Sequence, residues 1–192
     1  MRVSCLRHGT TALNEQGIFS GAGDEGLTEV QRLELEATSF STAEYDAVYC
    51  GPATRCKETA RSLGILENVE EPRLAERCFG IFEGLTAGQC QDTFPDEFRS
   101  FRRLDAEYVI PNGESRGQHF DRVVAWLEDI LVHDHVLAVT HGGTIDFLYR
   151  LGTNADLHGG DEVFSGPAAA VSVFEVEWPQ VVVLEYGLRL TG

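Results

Sequence analysis

Residues 136–140, VLAVT, are apolar or nearly so throughout and lie between two segments of helical pattern. A half-buried strand alternates apolar with polar residues, whereas an unbroken run suits a central parallel strand covered on both faces. Covering both faces takes helices above and below the sheet, so the chain is confined to a layered α/β architecture. The flanking segments supply such helices. ESRGQHFDRVVAWLEDILV, residues 114–132, carries Phe120, Val123, Val124, Leu127, Ile130 and Leu131 along one stripe. HGGTIDFLYRLG, residues 141–152, begins a further helix directly after the strand.

The same alternation runs upstream. Residues 2–6 read as a first strand and 45–50, YDAVYC, as a second. Between them, residues 26–40 read as a helix with Val30, Leu33, Ala37 and Phe40 at helical period and a capping box at Thr28 and Gln31. Residues 51–64 predict a helix with Pro52 in its first turn and Gly64 closing it. The middle, 65–113, is less regular: 76–86 is a glycine-flanked loop and 95–104 a short helix. Residues 168–186 predict two strands joined by a tight turn at Trp178–Pro179. Together these predict a three-layer α/β/α sandwich with a mostly parallel central sheet, formed by residues 1–192 as one domain.

Acidic residues outnumber basic ones 31 to 15, a formal charge of −16. That field disfavours nucleic acid and anionic membrane surfaces as partners. It also repels small anions, so a phosphate site here must be a local cationic pocket. Cys5, Cys50, Cys56, Cys78 and Cys90 form an odd set without a C-x-x-C pair and read as reduced thiols. No apolar run reaches the length of a membrane span and the opening residues do not resemble a signal peptide, so a cytoplasmic location is expected.

Chemistry gathers where strands end. The first strand runs into Arg7-His8-Gly9, the second into a helix start bearing Arg55, and VLAVT into His141-Gly142-Gly143. In open α/β sheets ligands bind beyond the carboxyl ends of strands, where helix N-termini and arginine forks suit phosphate.

These segments resemble the histidine phosphatase superfamily, the phosphoglycerate-mutase-like proteins. Arg7, His8, Gly9 and Asn14 fit its R-H-G-x-x-x-x-N opening, FSGAGDEGLT fits F-x-G-x-x-D-x-x-L-T, and GPATRCKETA resembles the S-P-L-x-R-A-x-x-T-A helix. FGIFEG resembles the acid-bearing loop, PNGES resembles P-G-G-E-S, and VTHGG resembles the second histidine motif, all in family order. The resemblance implies that His8, neutral at working pH, attacks phosphorus and becomes phosphohistidine. Arg7, Arg55 and a protonated His141 would balance the phosphoryl charge, and Glu83 would serve as acid and then base, a role that needs a raised pKa. Asn14 would bond the phosphate, Ser20 and Gly21 would line the pocket mouth, and Gly142 with Gly143 would let backbone approach the phosphate. No metal-ligand set stands at workable spacing, and the mechanism calls for no metal or cofactor.

Departures from the family pattern are Gly51, Ala53, Cys56, Gln31 and, above all, Asp146, which stands where relatives commonly carry arginine. Whether Asp146 pairs with a cation or faces solvent stays open at this stage. His119, His133, His135 and His158 read as satisfied surface or core residues; Arg102 and Arg103 suit a cationic lid or a solvated helix face equally. The function expected is a phosphomonoesterase acting on a small phosphorylated metabolite, with the variable segment 86–113 deciding which. The alternatives are a cofactor-dependent phosphoglycerate mutase and a phosphate-binding homologue without turnover. The short interval from Glu83 to Glu114 favours hydrolysis, because little chain is available to shield the intermediate from water.

Overall fold

The computed structural model describes residues 1–103, 105–157 and 165–190. VLAVT lies in strand β4 (His135–Thr140), whose last five residues are buried. Its neighbours are β1 (Arg2–Arg7) and β2 (Ala47–Cys50), both parallel to it. A two-residue strand not foreseen from the sequence, β3 (Val69–Glu70), extends the parallel side, and the hairpin β5 (Ala170–Glu177) and β6 (Gln180–Arg189) completes the other side antiparallel to β1. The order is β3-β2-β4-β1-β5-β6. The hairpin turns at Trp178 and Pro179 as the sequence predicts, and β6 continues beyond Tyr186 to Arg189.

Seven α-helices occur among the described residues: α1 (Ala12–Glu15), α2 (Glu29–Glu36), α3 (Thr54–Ser62), α4 (Ala87–Thr93), α5 (Pro95–Arg102), α6 (Arg116–Ile130) and α7 (Gly142–Thr153). The sheet's two faces follow the strand alternation. Val3 and Cys5 point to a core shared with Val123, Trp126 and Leu127 of α6 and Ile145 and Leu148 of α7, while Leu6 points to one shared with Leu35 of α2 and Cys56 and Ala60 of α3. Helices on both faces make the three layers. A separate cluster of Phe82, Cys90, Phe98 and Ile110 packs α4 and α5 against Phe19 and Phe79, forming a small aromatic cap on the otherwise irregular middle segment.

Helix α2 departs from its sequence reading. It spans eight residues, Val30 and Leu33 are 67% and 52% exposed, and Leu35 is the residue buried. The capping box is also only half formed: Thr28 Oγ1 accepts from the Gln31 N–H, but Gln31 Oε1 accepts from the Thr10 N–H instead of closing the box. Gln31 thus ties the helix to the segment after β1. In α3, Pro52 lies outside the helix, and Asp24 supplies the cap that Ala53 lacks by accepting from the Thr54 backbone N–H. Gly64, with φ of 72°, closes the helix in the left-handed conformation that favours glycine. Helix α5 ends at Arg102, and Leu104, the last residue of its predicted span, lies outside the described residues, as does His158.

Candidate active site

Sheet register brings the two histidines together. Arg7 of β1 pairs with Thr140 of β4, and the His8 N–H donates to the Thr140 carbonyl at 2.9 Å. The residues that follow, His8 and His141, therefore leave adjacent strands side by side, and their rings meet edge-on with centroids 5.1 Å apart. His8 is 3% exposed and His141 fully buried.

The His8 ring has a defined proton. Its Nδ1 lies 2.7 Å from the Gly9 carbonyl, which can only accept, so Nδ1 carries the hydrogen and Nε2 keeps its lone pair. Burial, with the guanidiniums of Arg55 and Arg7, pushes its pKa down to about 3 against the opposing pull of that carbonyl. Burial, then His8 and Arg55, holds His141 well below the usual imidazole range. The sequence reading makes His141 a cation only if it is protonated; its burial works against that charge, and the standing positive charge comes from Arg7 and Arg55. The His141 Nε2 lies 3.3 Å from the buried Cys56 Sγ.

Arg55 sits in the first turn of α3 with its side chain 1% exposed. Its Nη1 donates to the Gly23 carbonyl and its Nη2 to the Gly21 carbonyl, each at 2.7 Å, and Glu25 lies 3.3 Å from Nη1. Asp24 on Thr54 and Glu58 on the Leu27 N–H fasten the same loop to α3. Arg7 donates through Nη1 to Ser165 Oγ and the Gly166 carbonyl. What these contacts leave over is notable: Arg7 Nε, Arg55 Nε and His141 Nδ1 are buried with no hydrogen-bond partner among the described residues. Buried polar atoms are ordinarily satisfied, so three such nitrogens beside one imidazole call for an acceptor-rich ligand.

Glu83 follows a single 3-10 turn at Gly80–Phe82, in the loop the sequence predicts. Its Oε1 accepts from the Phe79 N–H at 2.9 Å and the Ala22 N–H at 3.2 Å. Gly21 makes room for it: φ there is 45°, and a Cβ would lie 2.2 Å from Glu83 Oε1. Gly21 therefore sits between the acid and Arg55, and Ser20 closes the turn by accepting from the Gly23 N–H. Asn14 has a local role beside the one its motif implies. Its Oδ1 accepts from the Thr11 N–H in the capping box of α1, which leaves only its NH₂ for a phosphate. Gly142 begins α7, and a Cβ there would meet the Ser165 Cβ at 2.6 Å; one on Gly143 would meet Glu76 Oε1 at 2.4 Å. Both glycines make room for protein side chains.

Beside this cup lies a cavity of about 220 Å³ that shares Arg7 and Gly142 with it. Phe19, Phe79, Phe101 and Phe120 wall it, and Glu76, Arg77, Arg116, His119 and Asp146 bring charge and polarity. Asp146, left open in the sequence, is buried and bonded to Arg116 Nη2 at 2.6 Å and Arg150 Nε at 3.1 Å. Sequence reasoning missed Glu76, Arg77 and Arg116 and gave His119 a purely structural role. Two signals were available: an acid amid the apolar residues of α7 asks for a buried cation, and an arginine at the first position of α6 opposes the helix dipole. Arg102 and Arg103 are exposed and do not line the cavity; of segment 86–113, Phe101 does. His135 is satisfied as expected, with Nε2 3.0 Å from Ser4 Oγ.

Comparison with known proteins agrees with this arrangement. The family model of the histidine phosphatase superfamily (branch 1) matches residues 3–188, and the chain belongs to that family. It is 30% identical over 168 residues to the metal-independent phosphoserine phosphatase of Arabidopsis thaliana, covering 82% of this chain and 71% of that protein. It is 27% identical over 155 residues to the 2,3-bisphosphoglycerate-dependent phosphoglycerate mutase of Parvibaculum lavamentivorans, covering 73% of this chain and 74% of that one. Among solved structures, YhfR of Bacillus stearothermophilus superposes with a TM-score of 0.84 at 25% identity, over 97% of this chain and 96% of that chain. No helix among the described residues is long and apolar enough to cross a membrane.

Proposed function

We propose that the protein is a phosphomonoesterase that hydrolyses a small phosphorylated metabolite through a phosphohistidine on His8. The observation that carries this reading is the trio of buried nitrogens on Arg7, Arg55 and His141, without partners among the described residues, around an imidazole whose Nε2 lone pair is free of its own proton. The His8 Nε2 attacks phosphorus as the ester P–O bond breaks, and the Glu83 carboxyl gives a proton to the departing oxygen. Water then attacks the phosphohistidine, Glu83 takes its proton, and the P–N bond breaks to return neutral His8 and inorganic phosphate. Arg7 and Arg55 hold the transferring oxygens throughout, the largest contribution available to phosphoryl transfer. The incoming phosphate is the charge that would let His141 donate from Nδ1.

The mutase relative keeps a second reading in view. What supports hydrolysis is the shortness of the interval from Glu83 to Glu114, in which α4 and α5, seven and eight residues long, are the main structure. The test is acid-quenched trapping of labelled phosphate from a phosphomonoester. Wild type should label and release phosphate, and His8→Ala should do neither. Fast interconversion of 2- and 3-phosphoglycerate with negligible release would favour the mutase. No label and no release from any ester would leave a binding protein.

A further inference from the structure

We propose that the cavity beside the phosphate cup is a carboxylate subsite, in which Arg116 Nη1 and His119 Nε2 together hold the acid group of the ester's alcohol portion. This rests on the phosphomonoesterase reading for the position of the phosphate, and on separate atoms for everything else.

The argument starts with the proton on His119. Arg122 Nη2 lies 3.2 Å from His119 Nδ1, and a guanidinium only donates, so Nδ1 accepts and the ring hydrogen is on Nε2. Burial and the neighbouring Arg122, Arg77 and Arg116 keep the ring neutral, which leaves that assignment unique. The side chain is 1% exposed, and Nε2 has no partner among the described residues. Arg116 is 4% exposed; Asp146 takes its Nη2, and Nη1 is buried without a partner among the described residues. Both residues line the same cavity. A buried donor left unmade costs about 1–3 kcal/mol, so two of them at one cavity identify a place built for an acceptor.

Several features narrow that acceptor to a carboxylate. Two separate N–H donors suit a group with two oxygens, and a charged acceptor strengthens both bonds. Glu76 and Asp146 stand in the same wall, so a singly charged group is tolerated better than a second phosphate dianion. Arg77 adds a cation, its guanidinium lying 5.5 Å from the Phe101 ring centre. Phe19 and Phe120 offer apolar wall to a short carbon chain, and about 220 Å³ limits that chain to a few carbons. Asp146 acts as a positioning residue: it holds Arg116 Nη2 at 2.6 Å and leaves Nη1 for a ligand.

The test uses esters that differ only in the proposed contact: phosphoglycolate, 3-phosphooxypropanoate and 4-phosphooxybutanoate, each against its carboxamide. Wild type should favour at least one acid by about 30-fold or more in kcat/KM, the discrimination a site built for a polar group can reach. Arg116→Gln should bring that ratio below about fivefold. Calorimetric binding of the same pairs to His8→Ala reads the subsite without turnover, and the wild-type comparison needs no variant to fold. Equal handling of acids and amides, an unchanged ratio in a folded Arg116→Gln chain, or a preference for bisphosphates over every acid overturns the proposal. Acid-selective binding without any phosphate release would instead sink the esterase reading and leave the subsite standing.

Discussion

His8 shows how one buried ring couples chemistry to stability. Its folded pKa of about 3 lies far below the ordinary histidine value, so between the two the unfolded chain takes up a proton that the folded chain refuses. Stability from this residue is complete above about pH 6.5 and falls as the pH drops toward 3. Between pH 6.5 and 4.5, His8→Ala should therefore lose about 2 kcal/mol less than wild type in urea unfolding. Equal slopes would mean that His8 is not desolvated. His119 and His141 are shifted in the same direction, so both proteins keep an acid-sensitive slope from those rings. At this scale the sequence is eloquent where motifs are dense. Arg7, His8, Arg55 and His141 lie together as the strand-end argument requires, because β-sheet register turns a sequence pattern into a distance. Asn14 has a second, local role that the motif does not announce, because its Oδ1 caps α1 while its NH₂ stays available to an anion. His119 and Arg116 were invisible as a pair, since nothing in a linear pattern says that two donors empty into the same space.

Among the elements, the loop from Ser20 to Leu27 and helix α3 behave as one unit. Arg55, Thr54 and Glu58 of the helix all bind the loop, and the loop's Gly21 in turn accommodates Glu83. Gly21→Ala should displace the acid, since φ of 45° and a Cβ at 2.2 Å from Glu83 Oε1 both oppose it. We expect kcat to fall about 100-fold, the scale of loss that follows a small misplacement of a reacting group. Acid-quench labelling separates this from a loss of binding: with the first step impaired at the acid, burst amplitude falls while KM moves little. Unaltered burst and kcat would mean that Gly21 does not position the acid. Strands β1, β2, β4, β5 and β6 and helices α3, α5, α6 and α7 were legible because their apolar periods and punctuation agree. Helix α2 was not read correctly, since Leu33 and Leu35 compete for one buried position and only packing chooses between them. Helices α1 and α4 and strand β3 escaped because four, seven and two residues give periodicity too little length.

Over the whole molecule, a formal charge of −16 surrounds a cup whose own groups are cationic. Phosphate esters must cross the repulsive field before the arginines hold them. Screening acts on the long-range field more than on close contacts, so raising salt from about 10 to 150 mM should raise kcat/KM a few-fold. Stopped-flow or steady-state assays across that range would check it, and a monotonic fall would show that attraction near the cup dominates approach. The α/β/α layering was the most secure inference from the chain, because an unbroken buried strand leaves few other arrangements.

The Arg116–Asp146 pair bears on how this chain tolerates change. Asp146 is a buried anion on α7, and its cations come from Arg116 at the start of α6 and from Arg150 a turn further along. Exchanging Asp146 alone strands a guanidinium in a low-dielectric interior, whereas exchanging Arg116 leaves the carboxylate Arg150 as a partner. The two positions are therefore unequal, and a tolerated path away from this pairing changes the arginine first.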